Sequence, residues 1–107
     1  MKFNLTCPCS DCPFLADTLS GWLGKARAQG LAHDIAVEGR TFACHKTTHR
    51  PQIEHSHCAG AAIMQERAGQ VGQMLQIAER LGLYDPEKLD LGAPVHQDWT
   101  AFVRRHA

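Results

Sequence analysis

The apolar positions along the chain follow three different rhythms. Leu15, Leu19, Trp22, Leu23 and Ala26 recur at helical intervals, Pro13 suits a first helical position and Gly30 ends the pattern, which predicts a helix over 13–30. Between Ile35 and Cys44 the apolar residues Ile35, Val37 and Phe42 and the β-branched Thr41 flank Glu38-Gly39-Arg40, the signature of a short β-hairpin turning at Gly39. His45 to His57 lacks periodicity and predicts a loop. Met64, Ala68, Val71, Leu75 and Ala78 then alternate spacings of four and three, which predicts one long helix from Ala59 to Leu81. Gly82-Leu83 matches a glycine cap with its apolar contact, Asp85-Pro86 opens a short helical turn, and Asp98 can cap a further helix carrying Trp99, Phe102 and Val103. The fold class this predicts is mainly α with a small β-hairpin: a compact, metal-stapled domain with one long helix after Cys58.

No linker, repeat or low-complexity segment interrupts the 107 residues, so a single domain over 1–107 is expected. Apolar residues make up 44% and charged residues 21%, far from the composition of a disordered chain. Eleven Lys and Arg balance eleven Asp and Glu, so net charge supplies no pull toward nucleic acid or an anionic membrane. No apolar run reaches the length of a membrane span, and the opening residues Met1 to Thr6 hold no apolar stretch of signal-peptide length. A cytoplasmic location is therefore expected, where thiols stay reduced and clustered cysteines bind metal or react more often than they pair.

Five cysteines make that expectation useful. Cys7-Pro8-Cys9-Ser10-Asp11-Cys12-Pro13 is a turn-rich knuckle, and Cys9-x2-Cys12 has the spacing at which two sulfurs face one ion. Cys44 closes the predicted hairpin and Cys58 stands at the start of the long helix, where the helix N-terminus favours thiolate over thiol. Cys9, Cys12, Cys44 and Cys58 are the candidate ligands. The competing reading is that Cys44 and Cys58 are small buried hydrophobes. Cys7, two residues before Cys9, reads as a spare thiol. His45 and His57 adjoin Cys44 and Cys58, so three cysteines plus one of these imidazoles is an alternative donor set.

Pro8-Cys9-Ser10-Asp11-Cys12-Pro13-Phe14, Phe42-Ala43-Cys44-His45 and Cys58-Ala59-Gly60 together resemble a family of short proteins of unknown function encoded by bacteria and their phages, marked by Pro-Cys-x-x-Cys-Pro-aromatic, Phe-x-Cys-His and Cys-Ala-Gly. The resemblance spans roughly residues 8–82. It implies that Cys9, Cys12, Cys44 and Cys58 form the matched metal-binding set, and it leaves Cys7 outside. The chain departs from the pattern at Leu15, where a basic residue would stand. If the phage setting applies, the compartment is the host cytoplasm and a host protein is a candidate partner.

Four protein ligands close the shell of a zinc ion, the mark of a structural rather than a catalytic site. Zn2+ is the leading cofactor, with a 4Fe-4S cluster as the alternative, because both take four thiolates; the neighbouring imidazoles favour zinc. Pro-Cys-x-x-Cys also occurs in zinc deaminases, but the upstream His-x-Glu they need is missing from the eight residues before Cys9. No phosphate-binding loop, His-Glu-x-x-His helix or Gly-x-Ser-x-Gly elbow is present, so the enzyme question stays open with the balance toward a non-enzyme. The leading function is a zinc-stabilised binding module acting on another macromolecule, a protein before a nucleic acid; an iron–sulfur redox carrier or sensor and a nucleic-acid-binding regulator are the alternatives. Lys46, His49, Arg50, Arg104 and Arg105 are the candidate macromolecule contacts, against the plain reading of short basic runs as solvated faces.

Overall fold

A computed structural model describes residues 2–8, 12–44, 47–69 and 71–106. Among them the chain forms four α-helices: α1 Lys25–Ala32, α2 Ala59–Ala68, α3 Gln73–Arg80 and α4 Trp99–His106. A π turn at His33–Val37 and short 3-10 turns at Gln52–Glu54 and Pro86–Lys88 add to the helical content. The radius of gyration, 12.8 Å, is that of a well-packed domain of this length, for which about 13 Å is expected. No described helix is long and apolar enough to cross a membrane.

The first helix starts well after the point that the apolar spacing predicts, at Lys25 rather than Pro13. Gly21 and Gly24 adopt φ of 75° and 84°, left-handed values that no helix interior accepts. The residues after Pro13 are held by other partners instead: the Ala16 amide donates to the Pro94 carbonyl at 2.7 Å, and Leu15 bridges Val95. Leu19 and Trp22, which created the helical rhythm, are consequently exposed. Gly30, expected as a terminator, lies inside α1.

The hairpin is also corrected, since the described residues contain no β-strand. Ile35 and Val37 belong to a π turn, His33–Val37, that continues α1. The Glu38 amide donates to the His33 carbonyl at 3.1 Å and Arg40 to Asp34 at 2.9 Å. Ile35 is buried and Val37 exposed, a helical division of faces that a short apolar run cannot announce in advance. What remains of the pairing is one antiparallel bridge, Ala43 to His57, and a parallel bridge of Lys2 to Ser56 beside it.

The single long helix is two helices. Gly69 ends α2 in the left-handed conformation, φ 68°, and Gly72 opens α3 as its N-cap. The break lets two backbones touch: a Cβ on Gly39 would lie 2.9 Å from the Gly72 Cα, closer than carbon atoms pack. α3 ends as expected, with the Leu83 amide reaching the Ala78 carbonyl at 2.8 Å and Gly82 at φ 75°. The Asp85 and Asp98 caps are present too, accepting from the Glu87 and Ala101 amides at 3.0 and 2.8 Å.

Ala59 to Gln65 are all buried, so the first two turns of α2 form the spine of the core. Phe14 lies against that spine, fully buried. It stacks on Phe102 of α4 at 5.0 Å between ring centroids and meets Phe42 edge-on at 5.4 Å. The Arg67 guanidinium at the end of α2 donates to the carbonyls of Leu91, Ala93, Val95 and His96 and so clamps the segment leading to α4. His106 closes the far end: its Nε2 donates to the Pro13 carbonyl at 2.8 Å, while Nδ1 accepts from the Leu23 amide at 3.4 Å.

Candidate metal centre

Three segments distant in sequence deliver buried thiols. Cys12 directly precedes Pro13 and the buried Phe14, Cys44 ends the bridged segment, and Cys58 is the N-cap of α2. Each is free of any disulfide, and Cys7, also free, is exposed. The Ala43–His57 bridge fixes the register: the Cys44 amide donates to the Ser56 carbonyl at 2.7 Å and the Cys58 amide to the Phe42 carbonyl at 2.6 Å. Alternation along extended backbone then places Cys44 and Cys58 on one face and His57 on the other. Thr47 locks this arrangement, its hydroxyl donating to the Cys44 carbonyl at 2.9 Å and accepting from the Ser56 amide at 3.1 Å.

The Cys12 and Cys58 sulfurs lie 3.4 Å apart. Gly60 makes that approach possible, because a Cβ there would sit 2.5 Å from the Cys12 sulfur and 3.1 Å from the Phe14 Cβ. The Cys58 thiol is pushed well above its ordinary pKa, first by its contact with Cys12 and then by burial. Cys58 makes no conventional capping hydrogen bond, yet the Ala61 and Gly60 amides pull its pKa the other way. Two adjoining buried thiols cannot both ionise unaided, but a divalent cation between them would displace both protons. The Cys12–Cys58 pair therefore suits a thiolate-binding metal, and the Ala61 and Gly60 amides that lower the Cys58 pKa would favour its thiolate. The described sulfurs of Cys12, Cys44 and Cys58 do not all lie within 4.8 Å of one another; the group that does meet that distance is the partly exposed His33, Asp34 and Glu38. Glu38 there is already paired with Arg40 at 2.8 Å.

Cys9, His45 and Lys46 lie outside the described residues. His57 has both ring nitrogens engaged: Nδ1 accepts from the Phe42 amide at 3.0 Å, which leaves Nε2 to donate to Gln65 Oε1 at 3.1 Å. His49 and Arg50 are exposed on the 47–50 turn. Arg104 is exposed, whereas Arg105 is half-buried, its Nε donating to the Thr18 carbonyl at 2.7 Å. Sequence reasoning missed Gly60, Gln65 and Thr47 as parts of the site. A glycine in the first turn of a helix, where alanine is the better helix former, was the one available signal.

Burial lowers the pKa of His57 against the upward pull of its two hydrogen bonds, and burial followed by the charges of His106 and Arg105 lowers that of His96. A depressed histidine pKa means that the unfolded chain binds more protons, so this share of stability is complete above the unfolded value of about 6.5 and is lost as pH falls below it toward the folded values. The thermal midpoint should therefore decline as the solution is acidified through that range. His96→Phe, which removes a buried ring nitrogen with no partner among the described residues, should flatten the decline. A midpoint equally steep in pH for the variant would contradict the assignment to His96.

No curated protein and no solved structure matches the chain. A family model matches residues 4–106, more of the chain than the cysteine motifs span. The chain belongs to DUF6283, a family of unknown function.

Proposed function

We propose that the protein is a zinc-stapled binding module in which Cys9, Cys12, Cys44 and Cys58 hold one Zn2+ and the folded surface engages another macromolecule, a protein in the leading reading. The observation that carries it is the buried contact between the Cys12 and Cys58 sulfurs, 3.4 Å apart across 46 residues of chain, in a cradle that only a glycine at position 60 leaves open. Buried cysteines acting only as hydrophobes have no need to meet sulfur to sulfur. Four thiolates would close the zinc shell and leave no position for substrate, so the metal's contribution is to fold and to hold the surface rather than to catalyse.

Elemental analysis of protein purified without oxygen tests this. One equivalent of colourless zinc is expected, lost in Cys9→Ser, Cys12→Ser, Cys44→Ser and Cys58→Ser and retained in Cys7→Ser. Iron with labile sulfide and a brown chromophore would replace the reading with a cluster protein. Retention of metal by all four variants would end it.

A further inference from the structure

A groove of about 500 Å3 runs between α1 and α4, lined by Lys25, Gln29 and Ala32 on one side and Trp99, Thr100, Val103 and Arg104 on the other. The volume is within the range of small-molecule sites, roughly 300–1,000 Å3. Its chemistry is divided. Ala32, Trp99 and Val103 are half-buried and apolar, while Lys25, Gln29, Thr100 and Arg104 are exposed. The lining carries two cations and no carboxylate. None of these residues belongs to the sulfur site.

We propose that this groove binds a small organic anion with an apolar body, of the class of medium-chain or aromatic carboxylates. The apolar part would lie against Trp99, Val103 and Ala32, and the acid would face Lys25 and Arg104. A nucleic-acid strand is the poorer fit, because tracking a phosphate backbone takes a longer stripe of cations than this pair. The proposal is separate from the metal reading and does not depend on zinc being the ion.

The fluorescent probe 8-anilinonaphthalene-1-sulfonate carries both required features and can be titrated into the metal-replete protein. A Trp22→Phe background leaves Trp99 as the sole tryptophan, so quenching of its emission reports the groove. Saturable binding of one probe per chain is expected, with displacement by decanoate and much weaker displacement by decanol. Lys25→Glu combined with Arg104→Glu should weaken probe and decanoate at least about tenfold, a loss of about 1.4 kcal/mol. Gln29→Phe, at an exposed position, should block the groove while adding no second tryptophan. It decides the matter should the charge-reversed protein lose the wild-type thermal midpoint. Absence of saturable binding, equal competition by decanol and decanoate, or binding untouched by Gln29→Phe would overturn the proposal. So would displacement of the probe by an acidic peptide but not by decanoate, which would make the groove a protein-docking surface.

Discussion

Removing the proposed zinc from the purified protein should abolish its cooperative thermal transition. In small metal-dependent domains, structural zinc supplies roughly 10–16 kcal/mol of apparent binding free energy at neutral pH. The whole net stability of a domain is only about 5–15 kcal/mol. The first quantity matches or exceeds the second, so the chain without metal should not hold its fold. The geometry says where failure begins. Cys12, Cys44 and Cys58 lie on segments joined by isolated bridges and turns rather than by a sheet, and Cys58 caps the helix that forms the spine of the core. Circular dichroism and calorimetry before and after chelation measure the effect. Unchanged helix content and midpoint in protein verified as metal-free would sink the structural role.

The second large effect concerns two glycines that respond oppositely to the same substitution. Gly30 lies inside α1, and a methyl group added there would meet nothing within 4 Å, so Gly30→Ala should gain the helix-propensity difference, about 1 kcal/mol. Gly60 lies in the first turn of α2, where the same gain is available, but its Cβ would fall 2.5 Å from the Cys12 sulfur and 3.1 Å from the Phe14 Cβ. Both neighbours are fully buried, so neither can retreat cheaply. Overpacking of this kind costs about 1–3 kcal/mol, and displacing a sulfur of the proposed metal site would add to it. Gly60→Ala is therefore expected to lower the unfolding free energy by about 2 kcal/mol and to release metal at lower chelator concentration than wild type. Denaturant unfolding of both variants checks the contrast; a stabilised Gly60→Ala protein with normal metal retention would contradict the cradle.

The sequence announced capping residues better than the extents of the helices. Asp85, Asp98 and Gly82 act through atoms within three or four residues, and each does what its local chemistry predicts. The helix over 13–30 failed because its apolar spacing was real but its residues were claimed elsewhere, Ala16 by Pro94 and Gly21 by Arg105. Those partners lie near the opposite end of the chain, and no local pattern carries them. The long helix failed at Gly69 and Gly72 because the period of apolar residues runs unbroken across two glycines, one of which ends α2 in the left-handed conformation while the other meets Gly39. Of the four candidate cysteines, Cys12, Cys44 and Cys58 are buried, while the contact between the Cys12 and Cys58 sulfurs is tertiary and depends on a missing methyl group at position 60.

The clasp between His106 and Pro13 has a bearing on how the protein is made. Pro13 directly follows Cys12, and the helix that reaches back to it contains the last described residues of the chain. On a ribosome, the proposed ligands emerge well ahead of α4. During synthesis the thiols would thus be present as a set while the knuckle still lacks its cover, and metal loading would belong to that interval. Completion of α4 would then seal Phe14 beneath Phe102 and dock His106 on Pro13, turning an accessible nascent site into one that exchanges its ion slowly.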